Sequence, residues 1–134
     1  MKTRFLIGID PGKKTGFSLW DRSSKSLLMA RTTTIVEAME EIRQLAQSGE
    51  KIEIWFEDAR LRGGSKYKAF GAGSVCRDCS IWQEFCELHG ILFTPISPRT
   101  KGAKWNSAYF KKVTGWVGRT SEHARDAASL VFGA

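Results

Sequence analysis

Three acidic residues stand where they could do metal chemistry. Asp10 closes an apolar run in FLIGIDPGKKTG, Glu57 closes another in WFEDAR, and Asp126 lies in TSEHARDAASLVFG. If the last stretch is helical, His123 and Asp126 are three residues apart and share one side of it. Carboxylates that converge near a core repel one another and lose solvation. A hard divalent cation relieves that conflict, because Mg²⁺ takes oxygen ligands and keeps water and phosphate as its remaining partners. Two such ions ~4 Å apart can serve phosphodiester cleavage by stabilising the attacking and leaving oxygens. Lys13 and Lys14, beside Asp10, would then face phosphate.

Each acid also has an ordinary reading. Asp before Pro-Gly is common turn chemistry. Glu57 could be a surface charge at a strand end, and Asp126 could pair with Arg125 or Arg119. Asp58 competes with Glu57. Strand alternation puts Ile52, Ile54, Phe56 and Asp58 on one face and Glu53, Trp55 and Glu57 on the other, and alternation alone does not choose.

The elements that must position these groups can be read in order. Residues 4–10 form a strand that is apolar on both faces and therefore central. PGKKTG turns, FSLW returns, DRSSKS turns again and LLMART makes a third antiparallel strand. Ile35, Ala38, Met39, Ile42, Leu45 and Ala46 then fall at helical spacing, with Thr34 and Glu37 as a capping box and Gly49 as the stop. KIEIWFE is a fourth strand, residues 74–89 a helix ended by Gly90, and ILFTPI a fifth strand reached by a parallel crossover. Helices near 105–113 and 121–132 finish the chain. The last has a small apolar face, Ala124, Ala127, Ala128 and Val131, suited to close packing on a sheet.

The 134 residues fit one α/β domain, 1–134, with a mixed five-stranded sheet. A net charge of +7 and a pI near 9.6 favour a polyanionic partner, nucleic acid first. No segment approaches the ~20 apolar residues of a membrane span. Three cysteines without a secretory signal point to a reducing compartment, the cytoplasm. Cys76, Cys79, Cys86 and His89 mimic a zinc pattern. On one helix Cys79 and Cys86 would lie about 10 Å apart along the axis, too far for one tetrahedral site, so these cysteines read as small buried hydrophobes. Two glycine-rich or turn-rich loops are basic: Arg60, Arg62, Lys66 and Lys68 in one, Arg99, Lys101 and Lys104 in the other. Their position after strand ends, beside the carboxylates, favours phosphate contact.

The ordered set IGIDPGKKTGFSLW, WFEDAR and SEHARDAASLV resembles the RuvC family of Holliday junction resolvases, especially its short phage-encoded members. The resemblance covers nearly the whole chain. It implies a ribonuclease H-like fold and a crossover junction endodeoxyribonuclease. It also implies metal ligands at Asp10, Glu57, His123 and Asp126, with two Mg²⁺ or Mn²⁺ ions. The third ligand is Asp in many members and His in others. A lysine near the scissile phosphate would be Lys104, with Lys101 as competitor. The family acts as a homodimer on four-way junctions, so a phage-encoded member would work in the host cytoplasm. The helix over 74–89 tends to lie at the dimer interface, where its cysteines could sit. Family members often carry an aromatic residue soon after the glutamate to open the junction. Here Arg60 stands three residues on, and the nearby aromatics are Tyr67 and Phe70.

Three other readings compete. GIDPGKKTG also resembles the phosphate loop of the actin and sugar-kinase superfamily, which needs two such domains. A less selective flap, Y-DNA or RNA nuclease would use the same acids. A catalytically inactive binding module would gain nothing from clustered negative charge beside phosphate.

Overall fold

The computed structural model describes residues 2–61, 72–100 and 102–134. Arg62, Lys66, Tyr67, Lys68, Phe70 and Lys101 lie outside the described residues. The strands are β1 (Phe5–Asp10), β2 (Lys14–Asp21), β3 (Ser26–Thr34), β4 (Ile52–Glu57) and β5 (Leu92–Ile96). The α-helices are α1 (Ile35–Gln47), α2 (Ala72–His89), α3 (Ser107–Thr114) and α4 (Glu122–Val131). These follow the expected order. The third strand runs to Thr34, where the Thr34 side chain caps α1 by accepting from the Glu37 N–H, so strand and helix join without a loop.

The five strands are ordered β3-β2-β1-β4-β5. β1 is antiparallel to β2 and parallel to β4, and β4 is parallel to β5. β1 is thus the middle strand, which explains why FLIGID is apolar on both faces. The pleat then separates two layers. Ile7, Ile9, Ile54 and Phe56 point into a core closed by α1 and α2, with Ile42, Cys79, Trp82 and Cys86. Leu6, Trp20 and Val131 fill the other face, where α4 lies. Phe110 of α3 packs there with Ala30, Ala124 and Ala128. Each large apolar side chain buried in these layers contributes roughly 1.5–3 kcal/mol.

Cys79 and Cys86 are fully buried. They face the sheet, which corrects the idea that they occupy an outer interface. Burial pushes both thiols up to about 12. All three cysteines are free, consistent with the packing role read from their helical spacing.

Candidate active site

The site is built where α4 crosses the C-terminal end of β1. A strand under a helix needs room, and two glycines supply it. A Cβ on Gly8 would come within 2.2 Å of the Ala127 carbonyl oxygen. One on Gly16, the β2 partner of Asp10, would come within 2.0 Å of the His123 carbonyl oxygen and 2.9 Å of the Asp10 Cβ. The Ser18 hydroxyl donates to the Ala127 carbonyl at 2.9 Å and lies 3.3 Å from that of Gly8, tying helix to sheet through a buried bond. The small face of α4 is fully buried against this floor.

Ser121 caps α4, accepting from the Ala124 N–H at 3.0 Å. This fixes the first turn, which carries His123. The His123 Nδ1 lies 3.1 Å from the Asp10 Oδ2. Their side chains are 45% and 16% exposed, so the pair is open to solvent on the histidine side. Asp126, just under one turn further on, has an 8% exposed side chain, and its Oδ2 is 3.6 Å from the Lys104 Nζ. Lys104 also bonds the Glu122 carboxylate. That bond raises the lysine's pKa, aided by the charges of Asp126, Glu122 and Asp10 and opposed by burial. The same bond holds the Glu122 carboxyl below its usual range. Arg125 donates to the carbonyls of Trp105 and Thr120 at 2.9 and 2.7 Å, pinning the segment that carries Lys104 against α4.

Glu57 reaches the same end of the sheet from β4. Parallel pairing joins Ile9 to Phe56, so Asp10 and Glu57 are the next residues on neighbouring strands and share a face. It is the α4 face, because Gly8 of that set contacts α4 and Trp55 packs with Leu6 and Val131. Asp58 projects to the opposite layer. It is 2% exposed and held by Arg60, whose Nε and Nη2 lie 2.9 and 2.8 Å from its two oxygens. Burial pushes the Asp58 carboxyl up, but the Arg60 bonds outweigh it and the net shift is downward. Arg60 also donates to Gln83 at 2.7 Å. Its guanidinium is therefore committed inside the chain, whereas Lys13, Lys14 and Arg99 are exposed.

This gives a stability prediction. Arg60→Ala would leave a buried carboxylate without its main donors, at about 2 kcal/mol. The Asp58 pKa is lower folded than unfolded, so its stabilisation is present above the unfolded value, near 4, and is lost as pH falls through the folded one. Urea melts at pH 7 and pH 3 should show a large loss for Arg60→Ala at the first and a smaller one at the second.

The carboxylates of Asp10, Glu57 and Asp126 are oxygen donors of the kind a hard divalent cation takes, while His123 Nδ1 is at hydrogen-bond distance from Asp10 Oδ2. Among the described residues no three of His, Cys, Asp or Glu form a ready metal group. The Lys104 ammonium stands beside Asp126.

No family model and no curated protein matches the chain. A solved structure does: Thermus thermophilus RuvC in complex with a Holliday junction substrate, with a TM-score of 0.59 and 14% identity, covering 93% of this chain and 88% of that one. The fold is ribonuclease H-like. At this identity the likeness concerns the fold. Asp10, Glu57 and the start of α4 lie at one end of the sheet. Sequence reading missed the glycine floor, although glycine inside a strand signals a close approach. It also missed Glu122 as the partner of Lys104, for which no local pattern exists.

Proposed function

We propose that the protein is a divalent-metal-dependent endonuclease acting on branched DNA, with the four-way junction as its principal substrate. The observation that carries this reading is the approach of His123 to Asp10, with Asp126 and Lys104 alongside, on a ribonuclease H-like sheet. Asp10, Glu57, His123 and Asp126 would hold Mg²⁺ or Mn²⁺, two ions per site. When bound, the metal supplies Lewis acidity toward phosphate oxygen and lowers the pKa of a bound water. Asp10 orients the imidazole of His123, and Lys104 offers its ammonium to a non-bridging phosphate oxygen. In the hydrolysis a water oxygen bonds to phosphorus, the bond to the leaving sugar oxygen breaks, and that oxygen takes a proton. The exposed cations Lys13, Lys14 and Arg99 hold flanking phosphates. Arg62, Lys66, Lys68 and Lys101 add to this set, and Tyr67 and Phe70 meet exposed bases. Symmetric cutting of a junction calls for a homodimer.

The deciding experiment is side-by-side cleavage of labelled four-way, Y-shaped and linear duplex DNA, with Mg²⁺ and with chelator. Preference for the four-way form in metal supports the proposal. Equal cutting of all three favours a general nuclease, and binding without cutting favours an inactive module. His123→Asp should keep activity and His123→Ala should lose most of it, since only the first retains a ligand. Lys13→Ala with Lys14→Ala should flatten the salt dependence of binding, by about 0.9 in slope for each phosphate the protein no longer neutralises.

A further inference from the structure

The start of α4 carries two acids on one side. Glu122 and Asp126 are four residues apart and so are neighbours on the helix surface. One ammonium serves both: Lys104 Nζ is bonded to Glu122 Oε1 and stands 3.6 Å from Asp126 Oδ2. The two acids differ in setting. The Glu122 side chain is 58% exposed, whereas that of Asp126 is 8% exposed and belongs to the candidate metal site.

The main chain beside the lysine is held in place. Arg125 donates to the Trp105 carbonyl at 2.9 Å, and the Trp105 ring packs against those of Phe110 and Phe132. The backbone at 104–105 therefore stays next to α4, and only the Lys104 side chain decides where its charge lies. Its four-carbon stem and three donors let it reach either acid.

We infer that Glu122 is a positioning residue for metal loading: it draws the Lys104 ammonium outward, so that the ammonium does not take the place of a divalent cation at Asp126. The inference rests on the metal-site reading proposed above. An ammonium and a metal ion compete for the same carboxylate oxygens, and like charges held close repel. With Glu122 ionised, the lysine makes its bond on the solvent side. With Glu122 neutral, Asp126 is the remaining carboxylate within 4 Å of Lys104 among the described residues, and the ammonium would close on it. A purely structural role for the pair explains less. An exposed ion pair adds little to stability, and α4 is already capped by Ser121 and tied by Arg125 to Thr120 and Trp105.

The test counts free Mn²⁺ by electron paramagnetic resonance during titration of the protein without DNA. The proteins are wild type, Glu122→Gln, Lys104→Met and the double variant. Both side chains are largely exposed, so each variant should keep its fold, checked by its melting temperature. Glu122→Gln should weaken Mn²⁺ binding about tenfold when Lys104 is present and less than about threefold when it is already Met, the first figure being the low end for losing an outer partner of a metal ligand. Equal weakening in both backgrounds means that Glu122 acts only as a nearby negative charge, and it overturns the inference. Unchanged affinity in Glu122→Gln overturns it too. Asp126→Asn, titrated in parallel, separates this from the proposed function. If Asp126→Asn weakens Mn²⁺ binding and Glu122→Gln does not, the inference alone fails. If wild type itself binds no Mn²⁺, the metal-dependent reading fails and takes the inference with it.

Discussion

Asp10→Asn, Glu57→Gln and Asp126→Asn are each expected to abolish junction cleavage while leaving junction binding intact or tighter. Each change is nearly isosteric and removes one negative charge. The loss of rate should exceed the ~10–100-fold that follows when even an outer partner of a metal ligand is removed. Binding should not weaken, because a carboxylate repels the phosphate it faces. Asp58→Asn should differ. Asp58 lies on the other layer, bonded to Arg60, so its loss should lower stability and leave the rate per folded molecule unchanged. Single-turnover cleavage beside a urea melt separates the two classes. Wild-type rates for all three site variants would remove the metal site from the chain.

Gly16→Ala should be as damaging to the site as losing a ligand, although glycine has no chemistry to lose. The added methyl would sit 2.0 Å from the His123 carbonyl oxygen and 2.9 Å from the Asp10 Cβ. Neither neighbour is the free end of a flexible side chain, so the first turn of α4 must lift from β2. Overpacking of a well-filled core costs ~1–3 kcal/mol, occasionally more, and here the upper end applies. The melting temperature should drop by roughly 10 °C. The same displacement moves His123 from Asp10, so cleavage should collapse even in the molecules that stay folded. Gly12→Ala is the control. Its added Cβ meets the Lys14 carbonyl oxygen at 3.2 Å, which a small adjustment relieves.

How much of this was legible from sequence depended on how local each signal was. Asp10 and Glu57 could be placed at strand ends because each closes an apolar run, and the cap at Thr34 because its pattern spans four residues. The choice between Glu57 and Asp58 could not be made, because alternation defines two faces without saying which one receives α4. The sheet order and the contact of α4 with Gly8 show that the Glu57 side of β4 is the one facing α4. Arg60 read as one more loop cation. The clue against that was Asp58, an acid in phase with Ile52, Ile54 and Phe56 and so obliged to find a partner when buried.

The buried thiols give the molecule a built-in clock. Burial holds both thiols well above their usual range and covers them with the sheet, and only an accessible thiolate reacts with alkylating reagents. Cys76 is partly exposed one turn from the Cys79 that the sheet covers. Timed alkylation read by mass spectrometry should therefore show one fast site and two slow ones. The slow rate would measure how often α2 parts from the sheet, with no label or mutation introduced, and its change on adding DNA would tell whether substrate tightens that layer.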